Sequence, residues 1–181
     1  MKIGFYAPMK APEHPSPSGD RTLARLLIEA MTQAGHDVRL MSQHRSIDIS
    51  GDLENQGRIR EQSAAEATRI LEELQHRSHS IDLWFTYHLF HKAPDWLGPK
   101  ICEVLDVPYV VAEASYSPKQ KNGPWQTGLS NVETALARAA GIVSLNPRDH
   151  ECIQPFLKPE AKQISLLPFT RQYPSPGGSR S

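Results

Sequence analysis

The feature that most limits the folds open to this chain is a recurrence of apolar runs too short for helices, set between segments with helical spacing. "IDLWFTY" (81–87) and "VPYVVAEAS" (107–115) are of strand length and rich in aromatic and β-branched residues. Such runs suit strands covered on both faces, as in a parallel sheet. "KIGFYA" (2–7), "HDVRLMS" (36–42), "GIVSLN" (141–146) and "KQISLLP" (162–168) supply further strands. Between them, Leu23, Leu26, Leu27, Ala30 and Met31 repeat at helical spacing up to Gly35. A longer, more polar helix is expected over 56–77, with Ile59, Ala64, Ala67, Ile70, Leu71 and Leu74 on its apolar face. Another is expected over 128–140, through Leu129, Val132, Leu136 and Ala139. Pro99 and Pro147 each open a further helix, the second behind an Asn146 cap. Alternating strands and helices predict an α/β sandwich of three layers, with a mainly parallel sheet and right-handed crossovers.

At 181 residues the chain has the length of one domain. Lys plus Arg and Asp plus Glu are balanced at 20 each, and no basic run is interleaved with aromatics, which argues against a nucleic-acid partner. The opening "MKIGFYAP" is too short for a signal peptide, and no apolar span approaches about 20 residues. A soluble, cytoplasmic protein is therefore expected. Cys102 and Cys152 have no metal-ligand spacing and form no disulfide framework; two reduced, buried thiols are expected. The tail "YPSPGGSRS" has the composition of a linker.

In a parallel α/β sheet, ligands bind beyond the carboxyl ends of the strands. That rule selects 8–20, 43–57, 87–98 and 113–127. The first of these loops lacks both GxGxxG and GxxxxGK[ST], so it is no dinucleotide or triphosphate cradle of the usual kind. Ser18 and Gly19 stand at a helix start, where they either cap the helix or let an anionic oxygen approach the main chain. Asp20 favours the same helix end but opposes a phosphate beside it. "YHLFHKAPDW" gathers Tyr87, His88, His91, Lys92, Asp95 and Trp96, a mixture of donors, acceptors and aromatic faces suited to a sugar. His88 and His91 would share a face if helical, but a metal needs a further ligand, and none is assigned. Glu113 is a costly carboxylate at a strand end unless it pairs or faces a cleft. Ser115 follows no GxSxG elbow. The segment 119–125, from Lys119 to Trp125, reads either as a lid anchored by the tryptophan or as a solvated loop.

The order of these parts resembles the N-terminal half of a family 4 type retaining glycosyltransferase of the GT-B fold, in a bacterial subgroup. The resemblance rests on "SGDRTLARLL", "AGHDV", "DLWFTYHLFHKAPDWLGP", "DVPYVVAEAS" and "GIVSLNPRDHECIQPFLKPEAKQISLLPF", and covers residues 1 to about 170. It implies a Rossmann-like domain forming one half of a GT-B architecture, with 171–181 leading toward a C-terminal domain that holds the nucleotide sugar. The implied donor is a UDP-, GDP- or ADP-sugar, with no tightly bound cofactor and no obligatory metal. The implied partner is a carbohydrate or other hydroxyl-bearing acceptor, and a lipid acceptor would bring the chain to a membrane surface. Ser18, Gly19 and Asp20 match the loop that meets the donor phosphates. His88 matches a histidine-containing strand end and, with Glu113, takes the catalytic positions. Tyr87, His91, Lys92, Asp95, Trp96, Ser115, Lys119 and Trp125 fall to acceptor or sugar contact. Where the family commonly places a histidine after the next strand, this chain has Ala114 beside Glu113.

Overall fold

The computed structural model describes residues 1–76, 80–167 and 169–170. Six strands, β1 (Lys2–Tyr6), β2 (Asp37–Leu40), β3 (Leu83–Leu89), β4 (Tyr109–Ala114), β5 (Gly141–Ser144) and β6 (Lys162–Ser165), form one sheet. Its order is β2-β1-β3-β4-β5-β6, and every neighbouring pair is parallel. The connections carry α1 (Gly19–Gln33), α2 (Leu53–His76), α3 (Gly98–Leu105), α4 (Gln126–Arg138) and α5 (Pro147–Ile153). The fold is a Rossmann-like three-layer sandwich. The linker expected over 171–181 lies outside the described residues.

Alternation along the strands divides the core in two. Ile3, Phe5, Phe85, Tyr87 and Ala112 face α1, which meets them with Ala24 and Leu27 and, at its margin, Leu23, Ile28 and Met31. Tyr6, Trp84, Val111 and Ile142 point the other way, into a layer built from Ala67, Ile70 and Leu74 of α2, Ile101 of α3, Leu129, Val132 and Leu136 of α4, and Ile153 of α5. The asymmetry follows from chirality. The step from β1 to β2 runs one way along the sheet and every later step runs the other, so right-handed crossovers put α1 alone on its face. The reversal of direction lies between β1 and β3. Among the described residues the far half of the sheet is thinly covered on the α1 side, where Leu145 and Phe169 also pack: Val110 and Val143 are partly buried, β6 is exposed along its length, and Ile164 and Leu167 are 60% and 82% exposed.

Three details depart from expectation. β3 runs past Tyr87 to Leu89, because Leu89 pairs with Ala114 and the strand bends at His88 instead of ending. The buried stripe of α2 passes through Ile59, Ser63, Ala67, Ile70 and Leu74, leaving Ala64 exposed. Ser63 is tolerated inside because its Oγ donates to the Ile59 carbonyl and accepts from His44 Nε2, both at 2.8 Å. Of the two free cysteines, Cys102 is buried but Cys152 is exposed.

Candidate functional site

The loop after β1 contains Pro8, Pro12, Pro15 and Pro17, residues that lack an N–H and leave carbonyls in need of donors. Arginines supply most of them. Arg21 reaches the His14 and Pro15 carbonyls at 2.9 and 3.2 Å, Arg25 Nε the Pro12 carbonyl at 2.6 Å, and Arg45 Nε the Met9 carbonyl at 2.9 Å. The Ser46 N–H closes on the Pro8 carbonyl at 3.0 Å. The loop is thus stapled to α1 and to the segment after β2. Ser18 is the helix cap: its Oγ accepts the Arg21 N–H at 3.2 Å. The Gly19 and Asp20 N–H groups remain without an intrahelical acceptor. A Cβ added to Gly19 would meet nothing within 4 Å, so packing within the chain does not require a glycine there.

Asp20 does not lie idle at the helix start. Its Oδ1 is 3.0 Å from His88 Nδ1, across 68 residues of sequence, with the two side chains 33% and 22% exposed. A carboxylate only accepts, so Nδ1 carries the proton and Nε2 is left to act as an acceptor or, in the charged imidazole, as a donor. The His88 ring also packs at 5.0 Å from Phe90 and edge-on at 5.8 Å from Tyr87. His88 is held at φ 65° and Glu113 at φ 57°. The register pairs Tyr87 with Ala112 and Leu89 with Ala114, so these two left-handed residues stand opposite one another on adjacent strands. Asp106, the third non-glycine residue with positive φ, is the left-handed C-cap of α3, an ordinary place for Asp. No such structural role accounts for the other two. Paired strain at the carboxyl ends of neighbouring strands is typical of functional sites.

Glu113 Oε2 is buried without a hydrogen-bond partner. The Tyr87 hydroxyl hydrogen-bonds the Glu113 side chain, is pushed up in pKa, first by burial and then by the Glu113 and Asp20 carboxylates, and stays protonated; Oε2 alone is left without a partner. Tyr87 is only 2% exposed, so it supports the cluster from beneath. Asp20, Tyr87, His88 and Glu113 therefore converge around the reversal between β1 and β3, where open α/β sheets bind ligands.

The rest of "YHLFHKAPDW" is spent differently. Asp95 is fully buried, accepting from Thr86 Oγ1 at 2.5 Å, Tyr109 Oη at 2.9 Å, and the Leu97 and Gly98 N–H groups at 2.9 and 2.8 Å. It caps α3 from within the core and does not reach the mouth. His91 and Lys92 turn toward Trp125, with the ring centroids 5.9 Å apart and Lys92 Nζ 4.1 Å above the indole. His91 is not helical with His88, and burial followed by the Lys92 charge lowers its pKa, keeping it neutral. The crevice between His91, Trp125 and Asp48 has a free volume of about 10 Å³, room for no more than a water. Trp125 Nε1 donates to the Asp48 carbonyl at 2.9 Å, which clamps the segment 117–127 onto the loop after β2. Ser115 is half-buried and gives its N–H to the Leu89 carbonyl at 2.9 Å; Lys119 is exposed. Trp96 borders that crevice on one side and faces α2 and α4 on the other.

Asp48 escaped the sequence reading. Its carboxylate accepts from the Ser50 and Gly51 N–H groups, Ser50 Oγ, Asn55 Nδ2 and Gln56 Nε2, at 2.5 to 3.1 Å. Burial opposes ionisation, but these donors outweigh it and bring the carboxyl down to about 2. The signal was present in "DISGDLENQ", an Asx-type turn leading into a helix. Among the described residues no three His, Cys, Asp or Glu side chains converge as a metal site, and no helix is long and apolar enough to cross a membrane.

Chemically, the cluster offers an oriented imidazole nitrogen, a carboxylate oxygen seeking a donor, and free N–H groups at a helix start. That set can grip a hydroxyl-rich ligand with an anionic group nearby. No family model matches the chain, and no curated protein matches it significantly.

Proposed function

We propose that this chain is the acceptor-side domain of a nucleotide-sugar-dependent glycosyltransferase of the GT-B type, completed by a second domain that holds a UDP-, GDP- or ADP-sugar. The observation that carries the reading is the Asp20–His88 pair facing the unpartnered Glu113 Oε2 at the reversal between β1 and β3. An orphaned buried acceptor needs a donor, and a sugar hydroxyl supplies one. His88, fixed in one tautomer by Asp20, would contact a second hydroxyl through Nε2. The Gly19 and Asp20 N–H groups would face the leaving diphosphate when the domains close, with the open space around Gly19 permitting the approach. Stabilising that developing charge is the main demand of the reaction.

Family resemblance favours retention at the anomeric carbon, with the acceptor hydroxyl attacking on the face from which the phosphate departs and the phosphate taking its proton. The thinly covered half of the α1 face gives the proposed second domain, or a hydroxyl-bearing partner, a surface to meet. A lipid-linked acceptor would place this work at a membrane surface; a free saccharide would not. The experiment is a transfer assay of the protein carrying both domains against UDP-, GDP- and ADP-sugars, with the product anomer read by NMR. Transfer with retained configuration is expected. Absence of binding and transfer across the panel contradicts the reading and leaves a non-catalytic binding module. An inverted product would reassign the Asp20–His88 pair as the general base.

A further inference from the structure

On the outer layer, beside the clamp of His91, Lys92 and Trp125, Trp96 borders an open groove between α2 and α4 of about 480 Å³, within the size range of small-molecule sites. Thr127, Ser130, Asn131 and Thr134 line its α4 side, spaced at i, i+3, i+4 and i+7, so they form one continuous stripe of hydroxyl and amide groups. Arg60 of α2 closes the opposite side, its guanidinium 5.8 Å from the centre of the Trp96 ring. Asn131 lines the groove; its Oδ1 is closed to solvent and has no hydrogen-bond partner, so the amide must turn outward to meet a ligand. Thr134 already spends its hydroxyl proton on the Ser130 carbonyl at 3.0 Å, which leaves its oxygen as an acceptor.

We propose that this groove is a second binding site, for a neutral sugar ring. An ordinary solvated helix face would offer polar groups without concavity, an aromatic wall or a buried orphan acceptor. Here all three coincide. A pyranose presents an apolar C–H face to an indole and hydroxyls at its rim that both donate and accept, which matches Trp96 on one side and Asn131 Oδ1 with the threonine oxygens on the other. No Asp or Glu lines the groove, so it shows no preference for a cation. Arg60, exposed and only loosely stacked at 5.8 Å, is free to swing aside or fold over the bound ring. On a glycosyltransferase the site would hold an outlying residue of an oligosaccharide acceptor. Only this choice of ligand class rests on the proposed function; the groove itself does not.

The test is titration of the isotope-labelled 181-residue chain with maltotetraose, cellotetraose and N,N'-diacetylchitobiose, followed by 15N–1H NMR. Saturable shifts of the Trp96 indole N–H and the Asn131 side-chain amide are expected with at least one probe, while the core Trp84 signal stays fixed. Trp96→Ala and Asn131→Ala should each weaken binding about tenfold, the equivalent of one lost hydrogen bond or stack. Absence of shifts with all three probes, unchanged binding in both groove variants, or displacement by inorganic sulfate would overturn the proposal. Groove binding that persists when no nucleotide sugar is used by the two-domain protein would remove the transfer reaction and keep the site.

Discussion

At the scale of single residues, two glycines separate the site from the scaffold. A Cβ on Gly98 would overlap Asp95 Oδ2, Tyr109 Cε2 and Trp84 Nε1, all in the core, whereas one on Gly19 meets nothing. Gly98→Ala should therefore lower stability by about 2 kcal/mol or more, the range for overpacking a dense core. Gly19→Val should leave the melting temperature nearly unchanged and impair donor turnover in the proposed two-domain enzyme. Normal turnover in Gly19→Val would take Gly19 out of the phosphate-facing role. The strained pair gives a second expectation. Glu113→Gly frees a left-handed backbone position and removes a buried orphan oxygen but takes a partner from the buried Tyr87 hydroxyl, so in a Tyr87→Phe background urea denaturation should show a gain of about 1 kcal/mol. A loss of stability would mean that Glu113 serves the fold and not a ligand.

At the scale of elements, the knot after β2 is the most pH-sensitive feature of the strand-end face. Asp48 is 4% exposed, and its carboxyl lies at about 2, below the usual 3.8. A lowered folded-state value stabilises the fold above the unfolded pKa and is lost as pH falls through the folded one. The loop should therefore contribute up to about 2 kcal/mol near neutrality, fading between about pH 4 and pH 2. Asp48→Asn should flatten that part of the stability profile, and an unchanged acid limb would contradict the assignment. Most elements could be read from sequence because apolar spacing and Pro or Gly boundaries agree at each of them. What could not be read is instructive. Nothing in "WFTYHLF" announces that β3 continues through a left-handed His88, because the bend is set by the neighbouring strand and not by local preference. Asp95 reads from sequence as a sugar contact because its partners, Thr86 and Tyr109, reach it only through sheet pairing. The Asp20–His88 contact spans 68 residues and has no local signature.

At the scale of the whole molecule, the sheet order decides where chemistry can occur. A single reversal between β1 and β3 opens one crevice, and the histidine and carboxylates singled out from sequence as catalytic or helix-start residues meet beside it. The other sequence candidates scatter to structural duties: Asp95 to the core, and His91, Lys92 and Trp125 to a clamp between loops. Trp96 stands between that clamp and the groove between α2 and α4. The central claim is that the crevice, built on a rigid sheet with a stapled proline loop, receives a hydroxyl-bearing ligand through His88. The most direct measurement is the transfer rate of the proposed two-domain enzyme with His88→Ala beside the wild type, with thermal unfolding as the control for fold. A drop in kcat/KM of about a hundredfold or more at an unchanged melting temperature is predicted. Wild-type turnover in His88→Ala would contradict the account.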